Sequence, residues 1–351
     1  MNSTFNSITN NREIPYIHLV RVVACIMVVM LHSIHQPAFY APNTLLDKLY
    51  TIFVGDVTMS CVPLFFMITG VLILPIKQPD YLSFYHKRIP RVLYPLLVWG
   101  VIYAILPYLL GIQDLNTTWK ELILFPIKAP SEIGGLLWYL FVLIGLYLFL
   151  PFLNPDIFTN QKKMRFYLLL WLVATVIFDL RRWNDELLGA TFKTKVDLMY
   201  YFGGFIGYLI LGKYLYNRNL INMEGANKSK QEYTIIILLF IGSFLFRRIF
   251  ATNNFLSFTS VMITVSIFLF LQRVKINIQS KFYALIKNIS TLSFGIYLCH
   301  MVIFKCITER IYYTIEANWY IQTAVMILTF LGAYLLTLIL DKLPFKKYII
   351  G

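Results

Sequence analysis

Residues 21–32 read RVVACIMVVMLH. An arginine and a histidine bracket ten apolar residues. A soluble core helix holds either group near a surface. A helix in a bilayer holds both only where they face a cavity or a partner, because an ionisable group in hydrocarbon is costly. The solvent around this segment therefore decides the fold.

Working outward, the whole chain speaks for lipid. Of its 351 residues 58% are hydrophobic and 14% charged, against about 25% charged in a soluble domain. Crossing a bilayer takes about 20 mostly apolar residues. Ten such stretches recur, near 17–36, 51–75, 92–111, 137–155, 166–180, 197–215, 234–250, 256–272, 289–308 and 318–341. Residues 1–16 are polar, and no small-residue cleavage site follows the first apolar stretch, so that stretch reads as a retained helix rather than a signal peptide. The expectation is an all-α integral-membrane bundle of about ten transmembrane helices. One membrane domain spans 17–341, between an N-terminal tail at 1–16 and a C-terminal tail at 342–351.

Loop charge gives the orientation. With the N-terminus inside, the cytoplasmic segments hold 18 Lys and Arg against 10 on the opposite face, and Arg21, Lys213 and Lys305 lie within spans. The bias predicts cytoplasmic termini. The net charge of +14 then reflects insertion and contact with anionic membrane lipid. It does not point to nucleic acid, since no basic, aromatic-interleaved soluble segment exists. Cys25, Cys61, Cys299 and Cys306 all fall in spans without a CxxC pair, which defines neither a disulfide framework nor a metal site. The five histidines form no HxxxH pair, and no metal is expected.

Arg21 and His32 are eleven residues apart, about three full helical turns, so they share a face about 16 Å long. Arg21 sits near the inner boundary, facing a polar path or snorkelling to headgroups. His32 lies deeper, as a reactive ring or a packed one. Asp56 starts the next span at an outer depth matching His32. It either partners that imidazole, fixing its tautomer and raising its basicity, or meets water. In VPLFFMITGVLIL (62–74) Thr69-Gly70 allows close helix approach and offers a hydroxyl to a neighbouring helix. FYHKRIPRVLYP (84–95) places Arg88 and Arg91 around Pro90 at the cytoplasmic mouth of the third span. These arginines either anchor topology or grip phosphate through their planar forks. STLSFGIYLCH (290–300) ends in His300, at a depth His32 shares.

The Arg-x10-His stretch, PLFFMITG, KRIPR, LWYL (137–140) and SFGIYLCH occur in the order, and over nearly the length (14–340), seen in the acyltransferase-3 family. The chain resembles these bacterial multi-span membrane O-acyltransferases. The resemblance implies transfer of an acyl group, usually acetyl from cytoplasmic acetyl-CoA, to a sugar hydroxyl of a surface polysaccharide or its lipid-linked precursor. It implies a bacterial plasma (inner) membrane location and no tightly bound cofactor. It makes His32 the essential histidine, Arg21 its paired arginine, and Arg88 with Arg91 the basic pair near the donor. Two positions depart from the family pattern. His18 stands where an aspartate usually precedes the first arginine, and Thr69-Gly70 replaces Ser-Gly. Without the resemblance, a glycan transporter or flippase fits the same spans and histidines. The cytoplasmic arginine pair, and the absence of the duplicated halves of many transporters, favour a CoA-dependent enzyme, with His32, Asp56 and His300 as candidate chemical groups.

Overall fold

A computed structural model describes residues 13–34, 44–76, 80–125, 127–130, 133–188, 204–222, 229–250, 254–311 and 318–351. Among these residues the protein is helical, without a strand. The elements in chain order are α1 (Pro15–Ile34), α2 (Leu45–Thr58), α3 (Cys61–Ile73), α4 (Tyr81–Arg88), α5 (Pro90–Leu109), α6 (Leu115–Leu124), α7 (Trp138–Phe149), α8 (Asp156–Thr159), α9 (Gln161–Leu188), α10 (Ile206–Asn222), α11 (Ser229–Phe250), α12 (Phe258–Arg273), α13 (Lys281–Ile311), α14 (Trp319–Asp341) and α15 (Lys346–Ile349).

Each of the ten expected stretches falls at least partly on one of these helices. Residues 197–203 of the sixth stretch lie outside the described residues. Among the described residues six helical segments are long and apolar enough to cross a membrane: Pro15–Ser33, Leu45–Ile73, Tyr81–Leu109, Gly134–Phe152, Lys281–Thr308 and Trp319–Asp341. The other four expected stretches map to α9–α12, of which α12 is apolar but only 16 residues long. The second and third segments are each interrupted. Between α2 and α3 the chain breaks at Met59 and Ser60, and the Ser60 hydroxyl caps the Val57 carbonyl at 2.6 Å. Between α4 and α5 the break is at Ile89, ahead of Pro90. A proline is tolerated in a first helical turn, where its missing N–H would have no partner.

α1 lies at the centre, packed on α13, α3, α2 and α14. Its Val20, Ala24 and Cys25 are fully buried. α3 and α10 cross closely because each supplies a glycine at the crossing. A Cβ on Gly70 would strike the Leu209 backbone, and one on Gly212 would strike the Met67 backbone. Small residues at such crossings let backbones approach within dispersion range, which is the main source of association in lipid. At the start of α2, Thr44 and Asp47 form a reciprocal capping box, satisfying two orphan amides. The second Asp47 oxygen accepts the Trp319 amide at 2.8 Å, so the starts of α2 and α14 are tied together. Outward-facing Leu238, Ile241 and Leu245 of α11, and Leu328, Leu331 and Leu335 of α14, are half-exposed or more. In water such stripes would be a liability; in a bilayer they face lipid.

Candidate active site

Two helical stripes face each other. On α1, Arg21, Cys25, Val28 and His32 recur at steps of four, three and four. On α13, Ser290, Ser293, Tyr297 and His300 recur at three, four and three. Such spacing lines up side chains along one helix face. The stripes meet in register. Arg21 Nη1 reaches Ser290 Oγ at 3.5 Å, Cys25 Sγ points at the Ser293 carbonyl at 3.7 Å, and the His32 and His300 rings lie 5.2 Å apart between centroids. Contacts matched at both ends mean that α1 and α13 run parallel.

His300 is fully buried. Its Nδ1 lies 2.6 Å from the Tyr297 carbonyl. A carbonyl oxygen only accepts, so Nδ1 carries a hydrogen, and in the neutral ring Nε2 is the bare nitrogen. That Nε2 is buried and has no hydrogen-bond partner among the described residues. His32, on the central helix, is half-buried. The two rings thus place imidazole nitrogen at one depth, from helices far apart in the chain.

A cavity of about 320 Å³ opens beside these stripes, between α1, α3, the α4–α5 junction, α7 and α13. Arg21, Arg88 and Arg91 all line it, so the three arginines singled out in the sequence converge on one space. Its remaining wall is mainly apolar, with Val28, Val62 and Leu143, and it carries three aromatic phenols, Tyr139, Tyr147 and Tyr297. His32 and His300 follow Val28 and Tyr297 by four and three residues, so the histidine pair stands about one turn beyond two of the cavity's lining residues. Thr69 also lines the cavity. Its hydroxyl donates to Phe65 in its own helix at 2.9 Å rather than to a neighbouring helix. The phenols escaped sequence reading because aromatic residues are everywhere in this chain. The available signals were Tyr139 within LWYL and Tyr297 on the Ser290–His300 stripe.

Asp56 follows neither of its two sequence readings. Its carboxylate is taken by two guanidinium groups of α11, Arg247 Nε at 3.2 Å and Arg248 at the other oxygen. Arg247 also donates to the Asp56 backbone carbonyl at 3.3 Å. Both readings left open by the sequence, a His32 partner and a water-exposed carboxylate, give way to an α2–α11 clamp. The reason is electrostatic: in low dielectric a fixed cation holds a carboxylate more strongly than a neutral ring does. His35 lies outside the described residues.

At the N-terminal end of α1, His18 occupies the place where the family pattern has aspartate, yet a carboxylate is nearby. His18 Nε2 lies 3.1 Å from Glu13 Oε1, and its Nδ1 lies 2.9 Å from Ser290 Oγ. Glu13 also accepts from the Tyr283 hydroxyl at 2.7 Å and from Lys287 at 3.0 Å. These bonds, the Tyr283 hydroxyl first, hold the Glu13 carboxyl below its ordinary pKa of 4.5. No signal in the sequence linked Ser290 to Glu13 and Arg21, which lie just ahead of and within α1, far from it in the chain. Among the described residues no three His, Cys, Asp or Glu side chains gather as metal ligands.

Comparison with protein families matches an acyltransferase domain, that of the acyltransferase-3 family, over residues 14–338. Comparisons with curated proteins and with solved structures return no match. The family match takes in every helix from α1 to α13 and nearly all of α14, including both stripes and all three cavity arginines, and by it this chain belongs to the acyltransferase-3 family of membrane acyltransferases.

Proposed function

We propose that the protein moves an acyl group, acetyl in the first instance, from a CoA thioester to a sugar hydroxyl of a surface polysaccharide or of its lipid-linked precursor. The observation that carries this reading is one cavity lined by Arg21, Arg88 and Arg91, the first of them on the helix that also carries His32 to His300. Three guanidinium groups suit the phosphates of CoA, since guanidinium binds phosphate in a two-pronged, charge-assisted way. An exporter without chemistry has no need of such a cluster, and family membership also favours the enzyme over a flippase.

The chemistry asks little of the protein on the donor side, because a thiolate leaves readily. The acceptor hydroxyl needs a base. A neutral imidazole has an unperturbed pKa near about 6.5, which suits proton removal near neutral pH. In this reading His32 takes the hydroxyl proton as the sugar oxygen attacks the thioester carbonyl. The C–S bond then breaks and CoA thiolate departs. His300, its Nε2 bare and its ring 5.2 Å from that of His32, stands as the second imidazole of the pair. A variant route has His32 itself accept the acyl group before passing it to the sugar.

The arginine cavity belongs on the cytoplasmic side, where CoA thioesters are made, and the loop-charge bias supports that placement. The parallel run of α1 and α13 fits an even number of crossings between α7 and α13, as ten spans require. The membrane is then the bacterial plasma membrane, crossed ten times, with both termini inside. Cysteine labelling should find position 346 protected in intact cells and position 120 accessible; the reverse pattern inverts the topology.

Mass spectrometry of surface glycans from cells with and without the gene tests the activity. The expected result is an acyl mass increment on a sugar only when the gene is present. Identical glycans in both would overturn the assignment of a glycan acceptor.

A further inference from the structure

We propose that Glu13, His18 and Ser290 form a positioning relay that orients the Arg21 guanidinium in the donor cavity without neutralising its charge. The inference rests on the reading of that cavity as the CoA site.

Arg21 lines the cavity, and its one hydrogen bond among the described residues is to Ser290 Oγ, long at 3.5 Å. Ser290 is almost fully buried, so water does not compete freely for its hydroxyl. The same oxygen lies 2.9 Å from His18 Nδ1. His18 Nε2 in turn lies 3.1 Å from a Glu13 carboxylate oxygen. The direction of each hydrogen bond follows from what each group is able to do. A carboxylate only accepts, so His18 Nε2 carries the hydrogen. A guanidinium only donates, so Ser290 Oγ accepts from Arg21. In the neutral ring Nδ1 is then an acceptor and takes the Ser290 hydroxyl hydrogen. Every donor points one way, from Arg21 through Ser290 and His18 to Glu13.

The consequence is electrostatic. A carboxylate in direct contact with Arg21 would fix the guanidinium but cancel its charge, leaving little to attract an anion. Here a hydroxyl fixes it, and the carboxylate stands two residues further along the relay. The charge of Glu13 is engaged by Lys287 at 3.0 Å and by the Tyr283 hydroxyl. Arg21 is thereby oriented and still cationic toward a phosphate. Ser290 touches Arg21 from the cavity wall, and His18 reaches Arg21 only through Ser290; both act as positioning residues.

Titration of CoA into the purified protein tests the relay. Ser290→Ala should weaken CoA binding about fivefold, the worth of one hydrogen bond. Ser290→Thr, which keeps the hydroxyl, should restore most of it. In an Arg21→Ala background Ser290→Ala should add nothing further, because the relay then has no guanidinium to orient. Unchanged CoA affinity in Ser290→Ala, or an equal loss with and without Arg21, would overturn the relay while leaving the donor site standing. Absence of CoA binding by the unaltered protein would overturn the donor reading and the relay with it. Should Ser290→Ala not fold, Glu13→Gln at the exposed end serves instead. It should weaken CoA binding in the presence of Arg21 only, and unchanged affinity there also refutes the relay.

Discussion

The imidazoles of His32 and His300 lie 5.2 Å apart between ring centroids, brought together by two parallel helices from opposite ends of the chain. His300 is pinned through Nδ1 to the Tyr297 carbonyl, which turns its bare Nε2 into a fixed feature of the interior. This pairing makes the roles of the two rings separable by substitution.

His32→Ala should reduce acyl transfer by about 10²- to 10⁴-fold, the usual cost of losing a general base, with membrane insertion unchanged. His32→Gln keeps hydrogen-bonding capacity but takes no proton near neutral pH, so it should be as inactive as His32→Ala. An acyl-transfer assay on the purified variants decides between the rings. Near-normal activity in His32→Gln would move the base to His300.

Arg88, at the end of α4, lines the cavity it shares with Arg21 and Arg91, proposed above as the donor site. Losing a charge-assisted hydrogen bond weakens binding by about 10- to 150-fold. Arg88→Ala should raise the KM for acetyl-CoA within that range. Arg88→Lys should recover only part of it, because an ammonium lacks the fork geometry. An unchanged KM in Arg88→Ala would make this arginine a topological anchor alone.

Asp56 clamps α2 to α11 through Arg247, whose side chain is only 7% exposed. Breaking a buried pair from one side leaves an uncompensated charge and costs about 3–5 kcal/mol. Asp56→Ala should therefore lower the melting temperature in detergent, while the fraction that remains folded keeps its KM for acetyl-CoA. A large loss of activity at unchanged melting temperature would restore Asp56 to the reacting centre.

Glu13 gives an acid-dependent term in stability. Its folded-state pKa is lowered from the ordinary 4.5, chiefly by the Tyr283 hydroxyl and then by Lys287. A group with a depressed folded pKa stabilises fully above its unfolded value, and that contribution is lost as the pH falls through the folded value. Melting curves should show Glu13→Gln less stable than the unaltered protein at neutral pH, with the two converging below the ordinary carboxylate range. A gap that persists unchanged into acid would show that the Glu13 charge is not what stabilises.

The sequence by itself determined the solvent and the helices. Long apolar runs, the loop-charge bias and the Arg21–His32 spacing are local, one-dimensional patterns, readable because helical periodicity and bilayer thickness are fixed quantities. It also put His32 and His300 at one depth, and Arg88 with Arg91 at one mouth. Only the tertiary structure decided who meets whom. Asp56 had a suitable depth for His32, yet Arg247 and Arg248 took its carboxylate, because ion pairing depends on which helix packs alongside and not on depth alone. Ser290 belongs to a segment far along the chain from Glu13 and Arg21, and nothing in the spacing connects them. Their relay exists because α13 packs against α1 in parallel, which turns the 290–300 stripe toward 21–32. Depth is set by hydrophobicity, residue by residue. Neighbourhood is set by the fit of whole helix surfaces, such as the glycine-lined crossing of Gly70 and Gly212, and no single segment carries that information.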